Sequence, residues 1–219
     1  MSYEFPTIRT IDDVLPHIEG CEEFLVAERD GFTVINYMVS MPDTFPPLKV
    51  AGGSKRMREE RMLTNRIKRE CRGLIFYPDG RIMSRPFHKF FNIGEREETQ
   101  LHNIDWSRPH TIMEKMDGSM IRPLDVNGWF KLGTKMGVTD VSEQAEKIMT
   151  GGQRSWMDIM MKQGVTPLFE FVSPENRIVV EYDKAELVLL AMRNNITGEY
   201  IAKEQLPQNE ILSHVDTNT

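Results

Sequence analysis

Apolar and polar positions alternate with a period of two along much of the chain, and tight turns punctuate the alternation. Two strand-like runs, Glu23 to Glu28 and Phe32 to Ser40, flank the hairpin dipeptide Asp30-Gly31. Gly73 to Tyr77 and Arg81 to Pro86 flank Pro78-Asp79-Gly80. Ile121 to Val126 and Trp129 to Thr134 are joined by Asn127-Gly128, the strongest hairpin signal. Strand patterning returns at Leu168 to Val172, Arg177 to Tyr182 and Leu187 to Met192, and a last turn falls at Asn195 to Gly198. Helical spacing appears at Val141 to Met149 and at Ser155 to Lys162, where Trp156, Ile159 and Met160 share a face. Thr10 is placed to cap a short helix reaching Ile18, which Pro16 is placed to break. Hairpins with a helical insert predict an α+β chain rather than a doubly wound parallel sheet.

Between the second strand and Gly73 the pattern changes. Residues 41 to 53 carry Pro and Gly and read as a loop. Lys55 to Glu70 then holds seven Lys or Arg against three Glu. Such a stretch is a solvated helix or a patch facing phosphates, and composition favours the solvated helix.

Composition narrows the classes. The chain has 219 residues, 40% hydrophobic and 27% charged, which fits one globular domain and excludes a collagen or a disulfide mini-protein. Net charge is −6, so any nucleic-acid binding depends on a local basic patch. The longest uncharged apolar run, Leu187 to Met192, is far short of the roughly 20 residues that span a bilayer, and no membrane partner is expected. The N-terminal residues show no signal-peptide pattern. Cys21 and Cys71 form no CxxC pair and read as free thiols in a reducing cytoplasm. His17, His88, His102, His110 and His214 show no metal-ligand spacing.

The chain carries neither GxxxxGK[ST] nor GxGxxG. Its informative tetrad is Lys115-Met116-Asp117-Gly118, followed by Ser119. KxDG alone is weak, and most occurrences are exposed turns. Here it follows the apolar strand candidate Thr111 to Glu114, and Gly118 permits a sharp turn after the lysine. A lysine at a strand end near other cations can act as a neutral amine nucleophile. Arg72, Lys89 and Lys135 all lie near strand ends, where they are either ordinary surface cations or a convergent oligophosphate site. Glu170 alternates with Phe169 and Phe171, so it faces solvent or is a placed acceptor, for which a ribose hydroxyl is a natural donor.

In order along the chain, ECRGLIFYPDGRIMSRPFHKFFNIGE, EKMDGSM, KLGTKMG, LFEFVSPENRIVVEY and LVLLAMRNNITGEYI resemble successive motifs of the phage RNA ligase 1 family, of the T-even type, within the covalent nucleotidyltransferases. The likeness runs from about Glu70 to Leu206. It implies an α+β nucleotidyltransferase fold, ATP-grasp-like, of antiparallel sheets with flanking helices, with residues 1–219 forming the adenylyltransferase domain. By resemblance, Lys115 attacks the α-phosphorus of ATP, pyrophosphate leaves, and AMP passes from the lysine to an RNA 5′-phosphate. A 3′-hydroxyl then displaces AMP. Mg2+ neutralises phosphate charge and helps keep Lys115 deprotonated. Arg72, Lys89 and Lys135 match positions that contact the nucleotide or its phosphates. Glu170 matches a ribose contact, the Glu114 backbone is expected to face the adenine, and Asp117 and Gly118 shape the nucleophile loop.

One departure from the pattern is evident. No EGxV-like or KxK-like segment follows Tyr200, so the family's downstream metal and lysine-pair motifs, and its C-terminal helical domain, are expected to be missing. Weak or absent adenylylation by the chain alone is expected, with a second chain carrying those motifs as a candidate partner. The expected partner is RNA with 5′-phosphate and 3′-hydroxyl ends, a nicked tRNA included, in the cytoplasm (the host's, for a phage-encoded protein). Two readings follow: an ATP-dependent RNA ligase core, or a truncated or split fragment that binds ATP or RNA ends without completing ligation. A DNA ligase or capping enzyme is a third, disfavoured by the long matches around Arg72 and Glu170.

Overall fold

The computed structural model describes residues 3–41, 43–108, 110–175, 179–202, 205 and 212–214, and the backbone of 217 and 218. After a short 3-10 turn, Pro16 lies in the first turn of the helix α1 (Leu15–Ile18), where its missing N–H is harmless, instead of breaking it. β1 (Phe24–Arg29) and β2 (Phe32–Tyr37) form the expected hairpin, with Gly31 at φ 83° in the turn. The long helix α2 (Lys55–Glu70) follows. The Ser54 hydroxyl accepts from the Met57 amide at its start, and Arg56–Glu60 spans one turn at 2.8 Å.

β3 (Arg72–Phe76) and β4 (Ile82–Ser84) complete a four-stranded antiparallel sheet of order β1-β2-β3-β4. Residues 85–108 and 110–111 are irregular chain with two 3-10 turns, leading to the two-residue strand β5 (Ile112–Met113). β6 (Ser119–Val126) and β7 (Trp129–Gly133) pair across Asn127 and Gly128, both at positive φ.

Capping boxes start α3 (Asp140–Ile148) and α4 (Gly151–Lys162); in the second, Thr150 and Gln153 exchange bonds of 3.1 and 2.9 Å. β8 (Val165–Val172) and β9 (Glu186–Asn194) follow, and then the two-residue strands β10 (Ser213–His214) and β11 (Thr217–Asn218). The second sheet has the order β10-β9-β8-β6-β7, and β11 pairs with β5. Antiparallel sheets with flanking helices give the α+β class that the alternation predicts.

Alternation along each strand sorts the core into layers. On β3, Leu74 and Phe76 pack with Ile67 of α2, whereas Ile75 packs with Val34 and with Leu124 of β6. On β8, Phe169 and Phe171 pack with Met157 of α4. The even positions Thr166 and Glu170 take the other face, which Thr166 presents to Ser84 of β4. The two sheets therefore meet along a seam. Each buried Phe contributes roughly 2–3 kcal/mol to holding these layers.

The seam contains a buried ionic knot. The Glu70 carboxylate lies 3.0 Å from Arg85 Nε and 2.8 Å from an Arg193 terminal nitrogen, with all three side chains fully buried. Burial pushes the Glu70 carboxyl up, but Arg193 and Arg85 prevail and hold it below the usual carboxylate range. Arg85 also donates to the carbonyls of Pro6, Asn195 and Ile196, and Arg193 donates to those of Gly198 and Pro86. Removing the one carboxylate strands two buried cations. Glu70→Gln is expected to lose about 3–5 kcal/mol in urea melts, and a loss under about 1 kcal/mol would show that the arginines are held by their carbonyls instead.

Candidate active site

The site is assembled from strand ends on both sheets. Arg72 opens β3 and Gly73 follows at φ +93°, its backbone pressed so close to Lys135 that a Cβ would sit 2.5 Å from the Lys135 carbonyl oxygen. Lys135 rides the Thr134–Gly137 turn after β7, a turn closed by bonds of 2.8 and 3.1 Å. Lys89 is brought to the end of α2 because its amide donates to the Arg69 carbonyl at 2.7 Å.

The three cations rest on aromatic rings. Lys135 Nζ lies 4.8 Å from the Tyr37 ring centre, Lys89 Nζ lies 5.8 Å from the same ring and 4.7 Å from that of Phe91, and the Arg72 guanidinium lies 4.8 Å from Phe90. Phe90 itself is 55% exposed. Burial lowers the pKa of Lys89 and of Lys135; Glu95 pulls Lys89 back up in part, and the Arg72 charge lowers both. Among the described residues none of the three forms an ion pair, and Nη1 of Arg72 is buried without a hydrogen-bond partner. A half-buried cluster of three cations with no ion pair of its own among the described residues is suited to receive an anion.

Opposite stands the loop Lys115-Met116-Asp117-Gly118. Lys115 and Glu114 are exposed. The Gly118 amide donates to the Glu170 carboxylate at 3.1 Å, and a Cβ on Gly118 would overlap the Phe171 carbonyl oxygen, so this loop lies flat on β8. Glu170 is thus a placed acceptor. Burial raises its pKa, while the Gly118 bond and the charges of Lys115 and Arg72 pull it back down. Asp117 Oδ2 accepts from the Val179 and Val180 amides at 2.5 and 2.7 Å, and these bonds hold the carboxyl below its usual range. The Asp117 amide donates to the Tyr182 hydroxyl at 2.9 Å.

Arg72, Lys89 and Lys135 therefore stand together, and Lys115, Asp117, Gly118 and Glu170 form the facing group, with the Arg72 charge reaching Glu170. The Lys115 charge acts on the carboxylates of Asp117 and Glu170. Two strand expectations change. The described part of the predicted strand 177–182 is irregular, since the Val179 and Val180 amides bond to Asp117 rather than to a neighbouring strand; residues 176–178 lie outside the described residues. The predicted apolar strand before Lys115 shrinks to β5, whose Ile112 is 60% exposed.

Sequence reasoning missed Tyr182, although it closes the quoted LFEFVSPENRIVVEY segment. It missed Arg122 as well, because an arginine in a strand gives no sign of being buried. The basic helix α2 resolves towards the solvated reading. Its cations are matched locally: Lys55 and Arg56 with Glu59 and Glu60, Arg58 and Arg61 with carbonyls of the loop before it, Arg66 with Glu4, Arg69 with Glu98, and Lys68 with the Phe24 ring.

Residues 70–216 match the model of a family described as RNA ligase. The chain belongs to the RNA ligase family. It is 31% identical over 207 residues to a Thermovibrio ammonificans protein assigned by name to the RNA ligases, covering 93% of this chain and 49% of that protein. To RNA ligase 1 of Bacteriophage TS2126 it is 30% identical over 152 residues, covering 61% of this chain and 36% of the relative. This member of the RNA ligase family thus spans half or less of the length of these curated relatives.

Among solved structures, two forms of an archaeal ATP-dependent RNA ligase match with TM-scores of 0.54 and 0.55 at 14% and 13% identity, covering 91% and 93% of this chain and 48% of each of theirs. An Aquifex aeolicus protein named as an ATP-dependent DNA ligase matches at TM-score 0.54 and 14% identity, covering 94% of this chain and 50% of its own. The fold is therefore that of the ATP-dependent ligases, and likeness of fold does not separate RNA from DNA.

Two measurements check this geometry. Tyr182→Phe removes the acceptor of the Asp117 amide. Hydrogen exchange there is expected to speed up about fivefold to tenfold with little change in global stability, and unchanged exchange would show that the hydroxyl is no anchor. His88, beside Lys89, bonds the Tyr200 hydroxyl at 2.9 Å among Tyr3, Phe5 and Phe90. Burial lowers its pKa to about 4. The unfolded chain takes up this proton first, so stability is full above about pH 6.5 and declines as pH falls towards 4. Urea melts should lose about 1–2 kcal/mol between pH 6.5 and 5, and His88→Phe should flatten that slope. An equal slope in the variant would assign the loss to other groups.

Proposed function

We propose that the chain is the nucleotidyl-transfer core of an ATP-dependent RNA ligase, with Lys115 as its nucleophile. The observation that carries this reading is the 3.1 Å bond from Gly118 to Glu170, which joins the lysine loop to the β8 carboxylate within reach of the Arg72 charge, beside Lys89 and Lys135. In the proposed step, the Lys115 Nζ lone pair forms a bond to the α-phosphorus of ATP. The bond from that phosphorus to the bridging oxygen breaks, pyrophosphate leaves, and the amine proton passes to solvent. Arg72, Lys89 and Lys135 neutralise charge on the phosphates as it shifts to the leaving group. Glu170 is placed to accept from a ribose hydroxyl with its remaining lone pairs. AMP then passes to the 5′-phosphate of an RNA strand, and a 3′-hydroxyl displaces it to join the ends. A nicked tRNA is among the substrates this reading covers.

Mg2+ fits this reading as a companion of the phosphates. Among the described residues no three metal-ligating side chains gather, and Mg2+ is commonly held by substrate phosphates, water and one or two carboxylates. It supplies charge neutralisation at the phosphates. The free thiols Cys21 and Cys71 support a reducing compartment, the cytoplasm, as the place of action.

Because the chain spans half or less of its curated relatives, a second reading is kept, in which it binds ATP or RNA ends without transferring AMP. Intact-mass spectrometry after incubation with ATP and Mg2+ separates the two. A slow AMP adduct on the wild type that is absent from Lys115→Ala is expected. Saturable ATP binding without an adduct would favour the binding reading. Folded protein with neither would overturn the assignment of the site.

A further inference from the structure

We infer that Arg122 is a positioning residue that sets the spacing between the nucleophile strand and the phosphate-facing cations, an inference that rests on the nucleotide reading of the site. Arg122 lies on β6, the strand that leads directly out of the Lys115 loop. Its side chain is fully buried. The guanidinium donates one bond to the Gly73 carbonyl on β3 and another, 3.2 Å long, to the Ser84 hydroxyl on β4. One side chain thus ties the strand behind the nucleophile to the opposite sheet.

The atom it grips matters. Gly73 follows Arg72 and lies against the Lys135 backbone. Fixing the Gly73 carbonyl therefore fixes where Arg72 emerges from β3 and where the Lys135 turn rests. The Ser84 end is anchored in turn. Ser84 Oγ lies 3.2 Å from Thr166 Oγ1 on β8, and Thr166 donates to Asn195 Oδ1 at 2.6 Å. This buried polar chain runs from β6 to the strand that carries Glu170.

Stability alone does not explain the residue. Arg85 and Arg193 share Glu70, whereas Arg122 has no carboxylate partner among the described residues, and its Nε is buried without an acceptor. Burial lowers its pKa to about 9. An apolar side chain of similar volume avoids that desolvation penalty, and such replacements of buried ionic groups are often neutral or stabilising. What the apolar side chain cannot do is hold two acceptors on two strands at once. Lysine, with a single nitrogen at its tip, reproduces this fork only in part.

The test compares wild type, Arg122→Met and Arg122→Lys for urea midpoint and for ATP affinity by titration calorimetry. Arg122→Met is expected to keep a midpoint near that of the wild type while its ATP Kd rises about tenfold or more, as misplacement of binding groups by about an ångström does. Arg122→Lys is expected to fall between the two. A folded Arg122→Met that binds ATP like the wild type overturns this inference alone. Loss of fold in both variants also overturns it, because the role is then structural. Failure of the wild type to bind ATP overturns the nucleotide reading, and this inference with it.

Discussion

Everything at the seam of the two sheets depends on Glu70 sitting between Arg85 and Arg193 out of contact with water. A carboxylate in that position is tolerable only because two guanidiniums reach it, and the guanidiniums are tolerable only because backbone carbonyls take up their remaining donors. The knot ends α2, orders the chain just after β4, and holds the end of β9. Elements distant in sequence are brought together by bonds whose geometry is stringent, so the seam has one arrangement and little freedom to slide.

That rigidity is inherited by the site. Arg72 lies just beyond Glu70, and Lys89 is tied by its amide to the carbonyl of Arg69. Arg72 and Lys89 are thus anchored in chain flanking the knot, whereas Lys135 reaches them from the turn after β7. The proposed nucleophile is built the other way round. Lys115 is exposed on irregular chain, and its order comes from the residues after it: Asp117 held by the Val179 and Val180 amides, Gly118 held by Glu170. If Lys115 is the nucleophile, as proposed, anchored cations beside an exposed lysine are the division expected where one group must move to react and the others must not.

Much of the fold was legible because its causes are local. The Asp30-Gly31 and Asn127-Gly128 turns, the helix Lys55–Glu70 and the alternation of Phe169, Glu170 and Phe171 are written in adjacent residues, and the structure has each of them. What misled was chain whose partners are distant. Val179 to Tyr182 has the composition of a strand, yet its amides serve a carboxylate far away in sequence. The apolar residues of β5 face outward because the strand pairs only with two residues near the end of the chain, not with either main sheet. Of the site, the residue types and strand-end positions could be read from sequence. The burial that separates Arg122 from an ordinary surface arginine could not, since charge carries no label of depth.

The excess of buried arginine over buried glutamate now acquires a meaning. In the seam, Arg85 and Arg193 share Glu70, and Arg122 has no carboxylate partner among the described residues, so buried arginines outnumber buried carboxylates there. A protein selected for stability alone gains nothing from that imbalance, because each uncompensated charge in a low-dielectric interior weakens the fold. In the proposed nucleotide-transfer reading, a polyanion at Arg72, Lys89 and Lys135 meets a half-buried positive cluster whose attraction water screens only in part. The burial that lowers the pKa of both lysines then works in the ligand's favour, since a bound phosphate restores the charge that desolvation discourages.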